Sequence, residues 1–205
     1  MAFLFFALFF AAPLQTNAKA LGESIRRERG AFTIGFMISN AEYRLLNQDA
    51  TFANYRGVGY SGLIDVRLLS ESYSELRAFG SISKNNLKSP STDGNELANS
   101  DSLVGLKAYV NPMLFLGIGY GENSQTLTTS VDSLSLKNNV IGVGAGIEFP
   151  VSSSLVLGLH AWYKANPLKK ENSLGGNSFS EGYDVGLVLM WSPPSVTTIL
   201  TSGGN

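Results

Sequence analysis

The stretch Phe115–Asn123, FLGIGYGEN, has glycine at positions 117, 119 and 121. A glycine fingerprint for nucleotide phosphates needs the spacing G-x-G-x-x-G at a turn between a strand and a helix. Here glycine recurs at every second residue, and the stretch GVGAG repeats the pattern from residue 142. A period of two is that of a β-strand, in which alternate side chains share a face. The stretch therefore predicts a strand with one glycine-rich face, and not a phosphate-binding loop.

The same alternation of apolar with small or polar residues continues along most of the chain. In the opening stretch, Leu116, Ile118 and Tyr120 share one face and the glycines occupy the other. Each run approaches the roughly 9–11 residues that a tilted strand needs to cross a bilayer. The eight runs cover residues 32–39, 56–70, 75–83, 102–111, 114–123, 140–149, 155–164 and 182–191.

The connections between these runs alternate in length. Short turns follow the second, fourth and sixth runs, whereas polar stretches follow the first, third, fifth and seventh, the longest from Asn85 to Ser100. This asymmetry is typical of an antiparallel up-and-down meander with an even number of strands. We predict long loops around Pro90, Asn123 and Gly176 at one end, and tight turns around Ser72 and Pro112 at the other. Both chain termini lie at the turn end.

Alternation alone leaves open which face is outside. A soluble eight-stranded barrel of the lipocalin kind would bury the apolar face and show water a charged one. The other face here is rich in glycine and poor in charge, which suits the narrow interior of an eight-stranded barrel. Aromatic residues near both ends of the apolar face indicate two membrane–water interfaces. The aromatic residues are Phe149 and Trp191 at the turn end, and Tyr43, Tyr60, Tyr120, Tyr163 and Tyr183 at the loop end.

The sequence thus predicts an all-β fold, an eight-stranded antiparallel up-and-down transmembrane β-barrel. Its inward glycines would leave room for large inward side chains such as Trp162 and Arg77. These glycines are Gly117, Gly119, Gly121, Gly142, Gly144 and Gly146.

Charged residues also fall on the inward face, in the turn-side half of the predicted lumen. Three are acids and three are bases, and charges removed from bulk water need partners. We predict a structural network that plugs the lumen, with a selectivity filter as the alternative. His160, the single histidine, lacks neighbours suited to a metal site or a catalytic dyad, so no catalytic, metal or cofactor site is predicted. The network consists of Asp65, Arg67, Glu75, Arg77, Lys107 and Glu148.

Composition and the chain ends complete the prediction. The 205 residues carry a net charge of -1, which gives no indication of nucleic acid binding, and contain no cysteine. The apolar residues 3–14 precede Ala18-Lys19-Ala20, a small-x-small cleavage pattern, although a buried N-terminal strand or helix is the alternative. We predict a signal peptide over 1–20, a periplasmic segment over 21–30, a barrel over 31–192 and a disordered tail over 193–205.

From Ala31 to Ser192 the chain resembles the small outer-membrane barrels of the OmpA, OmpX and opacity-protein type. The resemblance rests on eight runs, short turns, long loops and the alternating last strand from Tyr183 to Trp191. It implies a monomer in outer-membrane lipid and lipopolysaccharide, whose last strand is read by the barrel-assembly machinery. It also implies a non-enzymatic structural or surface-interaction role through long extracellular loops, with an unidentified ligand. A narrow small-solute pore and a soluble ligand-binding barrel are the alternatives.

Overall fold

A computed structural model describes residues 30–46, 52–70, 74–90, 94–152, 154–166, 170–171, 177–178 and 180–193. The predicted signal peptide, residues 21–29 and 194–205, and the connections at Ser72 and Gly176 lie outside the described residues. Within the described ranges, no helix is long and apolar enough to cross a membrane.

Eight long antiparallel strands close into a barrel, which confirms the predicted fold. They follow one another around the ring in chain order, and the last strand pairs with the first from Ile34 opposite Trp191 to Leu45 opposite Ser180. A separate two-stranded ladder lies between the seventh and eighth barrel strands. The barrel strands are β1 Phe32–Leu46, β2 Phe52–Ser70, β3 Glu75–Lys88, β4 Glu96–Tyr109, β5 Leu114–Thr128, β6 Ser133–Pro150, β7 Leu155–Ala165 and β10 Ser180–Trp191, and the ladder consists of β8 Lys170–Glu171 and β9 Asn177–Ser178.

The strands are staggered by ten residues around the ring. A path along directly paired residues that leaves β6 at Gly144 and circles the barrel returns to β6 at Leu134, ten residues away. An eight-stranded barrel with such a stagger has strands tilted by about 40° from its axis. The path passes through Trp162, Asp184, Ala41, Gly57, Leu87, Leu97 and Leu127.

The apolar face of the predicted runs lies on the outside of the barrel. Ile118 is 57% exposed, whereas its neighbour Gly119 is buried on the inward face. Exposed apolar side chains cover all eight strands in this way, which is the surface that hydrocarbon requires. The soluble-barrel alternative, which needs this face inside, is therefore wrong. The exposed side chains include Phe36, Ile64, Ile82, Val104, Leu116, Val143, Leu159 and Leu187.

Aromatic side chains border this apolar band at both ends. Phe149 and Trp191 are exposed at the turn end, and four tyrosines are exposed at the loop end. The prediction for Tyr43 was wrong, because this side chain is only 2% exposed and points into the barrel. In β1 the even-numbered residues face outward, so an odd-numbered residue must face the lumen. The four outward tyrosines are Tyr60, Tyr120, Tyr163 and Tyr183.

Beyond the tyrosines, the outward face of most strands changes from apolar to polar, and at the strand ends, where the inward face is apolar, the polarity of the two faces is exchanged. In β1, Glu42 and Arg44 face outward, while Tyr43 and Leu45 are buried inside. The other long strands behave alike: outward residues become Lys, Asn, Glu, Ser and Thr, and leucines turn inward at the strand ends. The inward leucines buried at the loop end are Leu45, Leu87 and Leu97. Within the band the outside is apolar, and beyond it the outside is polar.

This exchange makes the strands longer and the loops shorter than predicted. Asn123 lies in β5 and not in a loop, and the stretch from Asn85 to Ser100 is mostly strand, with only residues 89–95 between β3 and β4. Residues 129–132 alone connect β5 to β6. The prediction of long loops at these two places was therefore wrong. The connection from β7 to β10, residues 166–179, is the longest at this end.

The turns at the opposite end are tight. Between β4 and β5, the Asn111 side-chain Oδ1 accepts hydrogen bonds from the backbone N–H groups of Met113 at 2.9 Å and Leu114 at 2.7 Å. An asparagine that bonds the backbone two or three residues ahead is a common way to fix such a turn. Only residues 151–154 separate β6 from β7. The predicted short turn at Pro112 thus lies where the sequence placed it.

Candidate functional site

The predicted charge network lies inside the turn-side half of the barrel, in two groups. The first group joins two arginines to one acid. The Arg77 Nε donates a hydrogen bond to Glu75, and the Arg67 Nε lies 3.3 Å from the same Glu75 oxygen. Arg77 also donates to the Gly30 carbonyl at 2.8 Å. The buried Arg77 therefore ties β3 to the segment that enters β1.

The second group joins one lysine to two acids. The Lys107 Nζ lies 2.9 Å from Asp65 and 3.9 Å from Glu148. Glu148 also accepts a hydrogen bond from the Tyr109 hydroxyl at 2.8 Å, and its other oxygen lies 3.0 Å from the His160 Nε2. The single histidine is thus fully buried and bonded to a carboxylate of the network.

Above these charges lies a layer of large apolar side chains, which we call the aromatic layer: Phe79, Leu103, Phe115, Val140 and Trp162. The ring centroids of Phe79 and Trp162 are 4.9 Å apart. The Lys107 Nζ lies 4.8 Å from the Phe115 ring centroid and 5.5 Å from that of Phe79. Such cation–π contacts are favourable for a cation away from water. The aromatic layer therefore covers the buried lysine.

Five of the six predicted glycines leave room for this layer and its neighbours. A Cβ built on Gly144 would lie 2.4 Å from the Trp162 ring, and one on Gly117 would lie 2.7 Å from it. Gly121 differs, because its Cβ would lie 1.7 Å from the Ser102 carbonyl oxygen of β4. The other contacts are Gly119 with Phe79, Gly142 with Leu103, and Gly146 with Phe115 and His160. The large inward side chains beside these glycines are the rings of Trp162, Phe79, Phe115 and His160 and the side chain of Leu103.

A second charged cluster, which was not predicted, lies on the loop side of the aromatic layer. The Lys164 Nζ lies 2.9 Å from an oxygen of Asp101 and 2.5 Å from one of Asp184. The Tyr43 hydroxyl lies 3.3 Å from Asp101 and 3.5 Å from Asp184. The alternation already put Lys164 and Asp184 on inward faces, so parity could have found them. Asp101 stood just outside the predicted fourth run.

Buried amides surround this cluster toward the loop end. The Asn123 Nδ2 donates to Asn99 at 2.7 Å, and the Asn99 Nδ2 donates to Asp101 at 3.2 Å. Both polar atoms of the Gln125 side chain and the Nδ2 of Asn138 have no partner among the described residues. Buried polar atoms of this kind are usually satisfied by ordered water. The leucines at the strand ends, together with Tyr55, cover these amides from the loop end.

The lumen is therefore filled by successive layers of side chains, which are charged, aromatic, charged, amide and apolar from the turn end to the loop end. A further buried apolar cluster fills the turn-side half next to β1, β2, β7 and β10, and it consists of Met37, Leu63, Val156, Val188 and Met190. Within the described ranges, no group of three His, Cys, Asp or Glu side chains could hold a metal ion. Each buried charge described above has an opposite charge within 4 Å. Such an arrangement can stabilise the barrel and close its lumen.

Where the barrel closes, a polar network covers the outside just beyond the tyrosines. We call it the seam network. It runs across β7, β10, β1 and β2 as two separate series of hydrogen bonds and ion pairs. In one, the Tyr163 hydroxyl donates to Glu181 at 2.7 Å, and Arg44 reaches Glu181 at 3.3 Å and Asn54 at 3.2 Å. In the second series, the Tyr183 hydroxyl donates to Glu42 at 2.5 Å, and the Arg56 Nε lies 2.8 Å from Glu42.

On another part of the outer wall, strands β4, β5 and β6 form a shallow groove of about 400 Å³. Its outward polar side chains are Ser100 and Ser102 on β4, Glu122 and Ser124 on β5, and Lys137 and Asn139 on β6. The buried Asp101, Asn123 and Asn138 also border the groove, and Ile82 lines its edge next to the apolar band. We call this feature the outer groove.

Comparison with known proteins supports the fold alone. No protein-family model matches the sequence, and no curated protein matches it. The chain is similar to the structure of Neisserial surface protein A, with 12% identity and a TM-score of 0.56 over 80% of this chain and 98% of that one. It is also similar to the attachment invasion locus protein of Yersinia pestis, with 15% identity and a TM-score of 0.50 over 77% of this chain and 97% of that one.

Proposed function

We propose that this chain, which has the fold of the small eight-stranded outer-membrane β-barrels, is a non-enzymatic outer-membrane protein with a structural or surface-interaction role. The exchange of polarity at the tyrosines is the observation that carries the proposal. An apolar outside suits lipid, and a polar outside suits water. A molecule with both zones crosses the membrane at one end and projects from it at the other.

The projecting part is where an interaction partner would bind. It consists of strand ends as well as loops, so its outer wall offers a fixed polar surface. One of the two similar structures is named a surface protein and the other an attachment invasion locus protein. A surface-interaction role is our proposal for this chain, supported by the wall that it carries beyond the apolar band.

The filled lumen favours a structural role over a pore or an enzyme. His160 is fully buried against Glu148, where a substrate in water has no access to it. The aromatic layer lies between the two charged clusters and separates them. We propose a monomer without a cofactor, embedded in outer-membrane lipid and lipopolysaccharide. The last strand, which pairs with β1 along twelve residues, would be recognised by the barrel-assembly machinery.

Labelling of single cysteines in intact cells tests the topology. The natural chain has no cysteine, so an introduced one reacts alone. Cysteine at Pro90, in the connection between β3 and β4, should react with a membrane-impermeant maleimide. Cysteine at Val151, in the exposed turn between β6 and β7, should react only after the outer membrane is permeabilised. The reverse pattern would contradict the proposed orientation, and labelling of neither position in any condition would contradict exposure of both ends.

A further inference from the structure

We propose that the outer groove binds the uncharged saccharide headgroup of a membrane glycolipid whose acyl chains lie on the apolar band below it. This inference rests on the proposed membrane orientation, and it names one partner for the polar wall. It depends on three observations: the functional groups that line the groove, the absence of ion pairs for Glu122 and Lys137 among the described residues, and the position of the groove against the band.

The lining of the outer groove suits a ligand with many hydroxyl groups. A sugar hydroxyl both donates and accepts hydrogen bonds. Glu122 offers only acceptors, Lys137 offers only donors, and serine and asparagine side chains offer both. Ser100 is paired with Ser124, and Ser124 with Lys137, so these groups form one row across three neighbouring strands. The short serine side chains leave the volume that a sugar ring needs.

The charged groups of the groove remain available for a ligand. In the part of the chain that the structure describes, Glu122 and Lys137 take part in no ion pair, although other outward charges such as Arg56 and Lys88 do. Asp101, which also borders the groove, is paired inside the barrel with Lys164, so Glu122 and Lys137 are the charges left for a ligand. A phosphate or a carboxylate would therefore meet Glu122 as well as Lys137, whereas a neutral sugar meets a donor and an acceptor.

The groove opens directly onto the lipid-facing surface. Ile82, which lines it, is 65% exposed and pairs with Ser102 of the same groove. Tyr120, two residues before Glu122 on the same face of β5, is 53% exposed. A ligand that spans this boundary has an apolar part against Ile82 and Tyr120 and a polar part in the groove. A glycolipid has this form, and a free sugar would leave the apolar edge uncovered.

Retention of a glycolipid by the purified full-length protein tests the inference. The protein is reconstituted in vesicles of phosphatidylcholine with a diglucosyl diacylglycerol, extracted in mild detergent, and the retained lipids are counted by mass spectrometry. Wild type should retain the glycolipid in preference to phosphatidylcholine. Ser124→Tyr, which fills the groove, and the isosteric double variant Glu122→Gln/Lys137→Gln should each lower the preference about tenfold, the effect of losing one or two hydrogen bonds.

The matched control is Asn86→Tyr, which adds the same ring to an outward position of β3 outside the groove and should leave retention unchanged. Equal retention by wild type and the groove variants would overturn the site. Displacement of the lipid by a soluble diglucoside at comparable concentration would overturn the lipid assignment in favour of a free sugar. Neither result would alter the cysteine labelling pattern, so failure of the groove is distinguishable from failure of the proposed topology.

Discussion

At the scale of single residues, Lys107 illustrates that a charge buried in the lumen needs ion partners. Its side chain is fully buried, with Asp65 and Glu148 as its ion partners and two aromatic rings above it. Removal of one member of a buried ion pair is costly because the other stays buried without compensation. Here the loss of one lysine would leave two carboxylates.

We therefore expect Lys107→Met to lower the free energy of unfolding by about 3–5 kcal/mol. The substitution keeps most of the side-chain volume, so the lost charge dominates the effect. Lys84→Met, the same change at an exposed outward position of β3, should alter stability little. Denaturant titrations of both variants in detergent micelles give the comparison. Equal stability of the two would show that the buried charges do not stabilise the barrel.

The glycines allow a similar comparison of the two faces. Gly144→Ala places a methyl group 2.4 Å from the Trp162 ring, whereas a Cβ at the lipid-facing Gly62 meets no atom within 4 Å. We expect Gly144→Ala to destabilise the barrel by about 1–3 kcal/mol through overpacking. Gly62→Ala should be neutral or slightly stabilising, because alanine lowers the entropy of the unfolded chain. The same denaturant titration measures both, and a larger loss at Gly62 would contradict the assignment of faces.

Parity along a strand explains which lumen residues could be predicted. Alternation was enough to place Asp65, Lys107 and Glu148 on the inward face, and it did the same for Lys164 and Asp184. The contacts among them could not be predicted, because they depend on the stagger of the strands. Lys107 and Asp65 are 42 residues apart and meet only because β2 and β4 curve around one narrow lumen.

At the scale of elements, the exchange of faces explains why the strand ends were missed. Apolar residues at every second position mark the outward face of a strand only where that face contacts lipid. In β5 the outward residues change from Ile118 and Tyr120 to Glu122 and Ser124 where lipid gives way to water. The period of two in burial continues, but the buried residues on the inward face are polar as well. A stretch with polar residues on both faces therefore looked like a loop.

The seam network should matter most where the barrel closes. Exposed ion pairs contribute only about 0–1 kcal/mol each, so we expect Glu42→Gln/Glu181→Gln to change global stability little. Local opening should increase instead, because strand ends open independently of the core. Hydrogen exchange should become faster at Tyr43 and Gly182, which pair across the seam beyond the tyrosines.

The control for this experiment is Glu96→Gln, which removes the exposed ion pair with Lys88 between β3 and β4. Its exchange at the seam should match that of wild type. Unchanged protection of Tyr43 and Gly182 in the double variant would mean that backbone pairing alone holds the seam.

At the scale of the whole molecule, the layered lumen decides whether ions cross the barrel. The aromatic layer separates the two charged clusters, and the charged groups of each cluster already form ion pairs with one another. We expect the intact protein to give no steady single-channel current in planar lipid bilayers. A reproducible current of constant amplitude would contradict a closed lumen and favour the small-solute pore.

The polar zone beyond the tyrosines also sets how far the barrel projects from the membrane. In β5, the seven residues from Glu122 to Thr128 rise roughly 15–20 Å past the apolar band at the tilt and rise of barrel strands. Paired strands hold that elevation, whereas a flexible loop would sample many. The barrel therefore holds its rim, the loop end of its strands, at a set distance from the hydrocarbon. Removal of two residues from each strand above the tyrosines would lower the rim by about 5 Å, and with it the reach of the protein among neighbouring surface molecules.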